Sequence, residues 1–299
     1  MTRDELQTKA AFQLKEERRL ILQWATGCGK SLVAIRFIDA NPWMKTLILV
    51  PEQNNIKNWQ DEFDKFYVNR ENITIQCYAS FKKYRDTKWD FLVFDEMPHL
   101  DTEKRLNICR SVSANYILAL GAVIDDDERQ SLESVYGKFY KHVLGLQQAI
   151  WLGLLPHPTV NVLHLSMSKD AKEKYDAIQR KVDNAVNAYN SSASLFNRTR
   201  MLRAGNERKR FLGSLKEDAI RRVCQKLDEK NRRYLCFCSS IKLAESLGGD
   251  HAFTSKTPAS MKLLEKFNNH EIDSLYVVGK LIEGQNLNDI QCGVLGQLG

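Results

Sequence analysis

No apolar run in this chain approaches the ~20 residues that a bilayer-spanning helix needs, and the polar stretch Met1–Lys9 does not read as a signal peptide. The seven cysteines, at positions 28, 77, 109, 224, 236, 238 and 292, include no C-x-x-C pair, which argues against a zinc site and a disulfide framework. Cys236 and Cys238 alternate along one predicted strand face and read as core residues. Low-complexity stretches and short-period repeats are also missing, so neither a disordered tail nor a solenoid is expected. A reducing cytoplasm is the expected compartment, with no membrane partner.

What is present is a globular composition. Hydrophobic residues make up 43% of 299, a length sufficient for two domains of ordinary size. The formal charge of +7 is compatible with a polyanionic partner, whose binding through phosphates would be salt-sensitive.

The most informative stretch is Leu20–Ser31, an apolar strand that enters a glycine loop closing with Gly29-Lys30-Ser31 and then a helix, Leu32–Asp39. Such a loop turns successive backbone N–H groups inward around phosphate oxygens. The N-terminus of the following helix adds a favourable dipole. Lys30 would reach the β- and γ-phosphates, and Ser31 would place its hydroxyl on Mg²⁺. The commoner pattern G-x-x-x-x-G-K-[ST] has glycine where this chain has Trp24. A chance Gly-Lys-Ser is disfavoured by the strand and helix on either side.

Short β-rich runs alternate with helical patterns through the first 120 residues. Arg19–Gln23, Thr46–Val50, Thr74–Tyr78, Phe91–Phe94 and Tyr116–Leu120 read as strands, and Ile56–Phe66 as a helix with one apolar face. The alternation predicts a parallel sheet covered by helices, with ligands at the carboxyl ends of the strands. Residues 168–227 are charged, helix-prone and free of proline, and Arg198, Arg200, Arg203, Arg208, Lys209 and Arg210 concentrate positive charge there. A solvated face and a phosphate-contacting surface fit that cluster equally. Strand character returns at Tyr234–Cys238, His251–Thr254, Leu275–Val278 and Cys292–Leu295, with Leu243–Leu247 and Met261–Phe267 helical.

Trp89–Glu96 is an apolar strand ending in paired carboxylates. Nucleotide hydrolysis needs one carboxylate near Mg²⁺ and another to position or deprotonate water, roles that suit Asp95 and Glu96 respectively. His142, His164 and His270 have no metal-ligand spacing and default to core or surface roles. Asp125–Glu128 reads as a solvated loop, since four crowded carboxylates repel.

Taken in order, these segments resemble the motifs of superfamily 2 helicases and translocases, especially phage- and restriction-type DNA helicases. Leu6-Gln7 sits where such proteins carry the pair that contacts adenine. Ala25–Ser31 matches the superfamily's phosphate loop, which does not require glycine at position 24. Pro51, with Trp59 and Glu62-Phe63 beyond it, and Tyr78-Ala79-Ser80 resemble strand-contacting motifs. Asp95–Leu100 resembles the Asp-Glu-x-His box, and Gly153–Pro156 the passage between motor domains. Tyr234–Ser240 resembles motif IV and Glu283–Leu287 motif V.

The resemblance implies two RecA-like α/β domains with a helical insert: residues 1–160, 161–230 and 231–299, the last apparently incomplete. It implies ATP and Mg²⁺ as cofactors. Gln7, Thr26, Gly27, Cys28, Gly29, Lys30, Ser31, Gly284 and Asn286 would hold the nucleotide, Ser31 and Asp95 the metal, and Lys30, Asp95 and Glu96 would carry catalysis. Nucleic acid, DNA first and RNA as the alternative, would meet Pro51, Ser80, Ser239, Lys242, Arg200 and Arg203.

Three departures qualify this. Pro98 stands where the box has histidine, with His99 one place later. Leu120–Val123 lacks the hydroxyls of motif III. No Gln-x-x-Gly-Arg occurs before Gly299, so either the product is truncated or another polypeptide completes the domain. The expected behaviour is ATP binding with slow hydrolysis. Two rivals remain open: a nucleotide- and nucleic-acid-binding protein without turnover, and an unrelated phosphate-loop enzyme such as a small-molecule kinase.

Overall fold

The computed structural model describes residues 2–97, 106, 109–255, 257, 260–278, 287 and 289–296. The chain divides into two compact units, Met1–Val160 and Asn161–Gly299.

The first unit begins with helix α1 (Arg3–Glu17). Its N-terminus is closed by a capping box, in which the Thr2 hydroxyl accepts from the Glu5 amide and the Glu5 carboxylate accepts from the Thr2 amide. Strands β1 (Arg19–Trp24), β2 (Thr46–Val50), β3 (Ile73–Cys77), β4 (Lys88–Phe94), β5 (Ser113–Gly121) and β6 (Tyr140–Leu144) form one sheet in the order β3-β2-β4-β5-β1-β6. Every pairing in it is parallel.

Parallel strands covered on both faces need apolar side chains in both directions, and β2 is buried at all five positions. Successive residues serve opposite layers. Leu20, Leu22, Ile48, Val50, Phe91 and Val93 join the α1, α2 (Lys30–Asp39) and α3 (Gln53–Lys65) side. Ile21, Leu47, Leu49, Leu92 and Phe94 join the other, with Tyr78 and Phe81 of the 3₁₀ turn Tyr78–Tyr84 and Leu132 of α4 (Asp126–Tyr136).

The α/β parallel-sheet class read from the sequence holds, with three differences. The strands at 88–94 and 113–121 extend beyond their apolar cores, because backbone pairing continues past the buried residues. β6 was not anticipated: it is an edge strand whose first residues are exposed, so it lacks a buried apolar run. Asp125–Glu128 is not a solvated loop. Asp125 caps α4 and Glu128 completes a capping box, so the helix N-terminus accommodates the crowded carboxylates. A short helix, α5 (Leu146–Trp151), follows β6.

The second unit opens with α6 (Lys169–Ser191) and α7 (Leu195–Leu215), which pack through Val182, Ala185 and Ala204. Asn197 Nδ2 donates to the Ala188 and Ser192 carbonyls at 3.0 and 2.9 Å and ties the turn between them. Then come α8 (Glu217–Glu229), β7 (Tyr234–Phe237), α9 (Ile241–Gly248), β8 (Ala252–Phe253), α10 (Ser260–Asn268), β9 (Ser274–Val277) and β10 (Cys292–Leu295). The strands form a parallel sheet in the order β10-β7-β9-β8. Tyr234, Cys236 and Cys238 share one core layer with Ile220, Cys224 and Leu243, as their alternation suggested. Leu235 faces the opposite layer with Phe253, Phe267 and Val277.

No described helix is long and apolar enough to cross a membrane.

Candidate nucleotide site

Six strands running one way deliver all their outgoing loops to one edge of the first sheet. That edge receives residues 25–29 from β1, Pro51 from β2, Ser80 from the turn after β3, Asp95 and Glu96 from β4, and residues 122–125 from β5. β5 lies between β1 and β4, so the ends of those two strands are about 10 Å apart, twice the strand spacing.

The loop at 25–29 owes its shape to Gly27 and Gly29, both in the left-handed region at φ +85° and +80°. A Cβ on Gly29 would collide with the Gln7 amide, and one on Gly27 would stand 3.1 Å from Leu155 Cδ2. Gln7 braces the loop from α1, its Nε2 donating to the Gly29 carbonyl at 3.2 Å and lying 3.5 Å from that of Cys28. Cys28 is fully buried, and burial pushes its thiol above the ordinary value, so it acts as neutral packing. Thr26 and Gly27 are exposed.

α2 begins directly at Lys30, with Ser31 in its first turn. Lys30 is buried, and its Nζ donates to the Trp24 carbonyl at 3.0 Å. Trp24 itself is fully buried, and its indole Nε1 donates to His142 Nδ1 at 2.8 Å.

The end of β4 is equally constrained. Asp95 Oδ2 accepts from Trp59 Nε1 at 2.8 Å, and its backbone carbonyl accepts from the Tyr78 hydroxyl at 2.8 Å. Burial pushes the Asp95 carboxyl up to about 6, and the Glu96 charge adds to the rise. The Trp59 hydrogen bond and the Lys30 ammonium oppose it. Glu96 follows at φ +50°, a left-handed conformation uncommon outside glycine.

These residues fit a nucleotide–magnesium complex. A positive-φ glycine loop opens onto a helix N-terminus, a buried ammonium rests on a neutral carbonyl, and the Ser31 hydroxyl and Asp95 carboxylate are oxygen donors of the kind Mg²⁺ takes.

Pro51 and Ser80, both partly buried, lie on the same edge. In the second unit, Ser239 follows β7 and packs so tightly against Gly213 of α7 that a Cβ there would meet its hydroxyl. Lys242 is exposed in the first turn of α9. Arg200 and Arg203 are exposed on α7, and neither has a hydrogen bond or ion pair among the described residues. Gly284, Asn286 and the box residues Pro98, His99 and Leu100 lie outside the described residues.

Trp59 and Tyr78 were read only within strand-contacting motifs and His142 as a core or surface residue, so their part in the nucleotide site was not anticipated. Their partners stand 36, 17 and 118 residues away in sequence, so no local pattern marks them.

A family model described as the Type III restriction enzyme, res subunit (ResIII), matches residues 2–83, from α1 through the glycine loop to the turn after β3. A DNA 3'-5' translocase, XPB2 of Sulfurisphaera tokodaii, is 25% identical over 197 residues, 59% of this chain and 43% of that protein. Over these segments the chain is similar to superfamily 2 helicases and translocases. It spans less than half the length of that curated relative. The Hef helicase domain of Pyrococcus furiosus superposes with a TM-score of 0.58 at 11% identity, covering 96% of this chain and 88% of that one. At that identity the likeness is one of fold: parallel RecA-like α/β units.

Proposed function

We propose that the chain is an ATP-dependent motor of superfamily 2 that translocates on or unwinds DNA, with RNA as the alternative polynucleotide. The observation that carries this reading is the delivery of the Gly27–Ser31 loop and the Asp95-Glu96 pair to one sheet edge, from strands whose ends lie about 10 Å apart. The similarity to a DNA translocase and the ResIII match over residues 2–83, which include the glycine loop, support it.

In this reading residues 26–31 surround the phosphates, chiefly through their backbone amides. Lys30 exchanges the Trp24 carbonyl for phosphate oxygens, which replaces a neutral acceptor by an anionic one. Ser31 and Asp95 hold the metal, for which Asp95 must be ionised. Glu96 orients and deprotonates water. Gln7 keeps the Cys28 and Gly29 carbonyls turned away from the phosphates, and Gly284 and Asn286 would add nucleotide contacts, as the motif V resemblance implies. Bound ATP with Mg²⁺ supplies the phosphoanhydride whose hydrolysis drives the cycle. Pro51, Ser80, Ser239, Lys242, Arg200 and Arg203 contact the polynucleotide backbone.

The test is steady-state ATP hydrolysis with single-stranded DNA, duplex DNA and RNA, together with displacement of a labelled strand. ATP binding with slow, DNA-stimulated turnover is expected. Absence of nucleotide binding would reject the proposal.

One observation favours a second reading, a binding protein with little turnover. The segment leaving β5, Leu120-Gly121-Ala122-Val123, has no side-chain hydroxyl to relay hydrogen bonds from the hydrolysis site. Tight ATP and DNA binding without stimulation in the same assay would select it.

A further inference from the structure

Three tethers converge on the peptide that joins β1 to the glycine loop. The Trp24 indole N–H donates to His142 Nδ1 at 2.8 Å, and the Ala25 N–H donates to the Leu144 carbonyl, also at 2.8 Å. The Trp24 carbonyl accepts from Lys30 Nζ. Two of these run to β6, the edge strand beside β1.

His142 is not locked by packing alone. It is half-buried and borders a cavity of about 260 Å³ whose other walls include Leu6, Lys9, Val143, Gln148 and Leu152. A ring beside open space takes its orientation from its hydrogen bond, here, among the described residues, the one to the buried indole. Nδ1 accepts only from the neutral imidazole, and burial, with Lys9 adding to it, holds His142 below its ordinary value. The ring is therefore neutral at neutral pH, and the Trp24 N–H selects the tautomer that carries its proton on Nε2.

We propose that His142 is a positioning residue of the nucleotide site, acting through the Trp24 indole to fix both the carbonyl on which Lys30 rests and the strand end from which the glycine loop departs. This rests on the nucleotide reading above. At the position where the commoner phosphate-loop pattern has glycine, this chain anchors a large residue to the neighbouring strand. An anchored carbonyl keeps the lysine aimed along the loop, so binding exchanges one acceptor for another instead of ordering a wandering side chain.

Three variants of the full chain test this: His142→Leu, which removes the acceptor, Trp24→Phe, which removes the donor, and His142→Asn, which restores an acceptor oxygen near the Nδ1 position. Titration with N-methylanthraniloyl-ADP and Mg²⁺ should show Kd raised about tenfold in the first two variants and within about threefold of wild type in the third. In ATP turnover, KM should rise while kcat stays within about a factor of two. The indole ¹⁵N–¹H resonance of Trp24 should shift in His142→Leu. Trp24→Phe carries the test if His142→Leu does not fold.

Wild-type affinity in both His142→Leu and Trp24→Phe would overturn the inference while leaving the nucleotide reading intact. So would an equal loss in His142→Asn, which would mean simple packing. Failure of the wild-type chain to bind the probe would overturn both.

Discussion

The two α/β units use the same parallel-strand plan with different reserves. In the first, β2 is buried at every position, and two separate apolar layers cover the sheet. In the second, the described strands are four residues long or shorter, and much of the chain goes into the α6–α7 pair, whose mutual core is Val182, Ala185 and Ala204. Polar ties supplement that small contact: Lys181 pairs with Glu207 at 2.9 Å, and Arg208 donates to Gln179 at 3.0 Å. The first unit spends its burial on holding loops still at one edge. The helical pair leaves most of its surface to solvent, so Arg200, Arg203 and Arg210 are exposed and without partners among the described residues. A rigid sheet suits chemistry, and an open helical face suits a long polyanion.

The largest effect expected on the chemical side of this contrast is from Glu96→Gln. It removes a base without removing a phosphate contact, so turnover should fall by about 10²- to 10⁴-fold with ATP affinity retained. Lys30→Ala should do the reverse at the binding step, weakening ATP by about a hundredfold through loss of a charge-assisted contact. Fluorescent-nucleotide titration and steady-state rates separate the two, and parallel behaviour would break the assignment.

Denaturant melts sharpen the packing side. Phe91, fully buried in the first sheet, should cost about 3–5 kcal/mol as Phe91→Ala. Val182→Ala should cost only ~1–2 kcal/mol, because two methyl groups leave a thin interface. Equal costs would mean that the helical pair is as tightly integrated as the sheet.

Asp95 links the two ideas through pH. Its carboxyl titrates at about 6 in the folded chain against an ordinary 3.8, so the folded state binds more protons between those values. Stability from this group therefore falls as pH rises through that window, while Mg²⁺-dependent nucleotide affinity rises as the carboxylate ionises. Asp95→Asn should abolish both trends. Affinity for Mg²⁺-nucleotide that is flat from pH 5 to 7 in the wild type would remove Asp95 from the metal site.

The smallest effect is expected at the helical face. Replacing Arg200, Arg203 and Arg210 with alanine should weaken DNA binding at low salt and reduce the log–log salt slope by about one per arginine that touches phosphate. An unchanged slope would return the cluster to the role of a solvated face.

Much of this was legible in residue order. Buried parallel strands must be apolar on both faces, so Leu20–Leu22, Thr46–Val50 and Phe91–Phe94 announced themselves. The glycine loop was legible because its backbone conformation restricts which residues can stand there. β6 was not, since a half-exposed edge strand carries no such run. The Asp125–Glu128 carboxylates misled for a related reason: repulsion is a local argument, and the helix that accommodates them begins one residue later.

The chain alone thus determined the strand plan, the loop and the acidic pair, all of which follow from short-range periodicity and backbone sterics. Tertiary structure decided which side chains hold them: Gln7 on the loop, Trp59 and Tyr78 on Asp95, and His142 on Trp24. Those partners meet only because the crossovers bring distant strands and helices to one edge, and a hydrogen bond between residues up to 118 positions apart leaves no trace in local sequence.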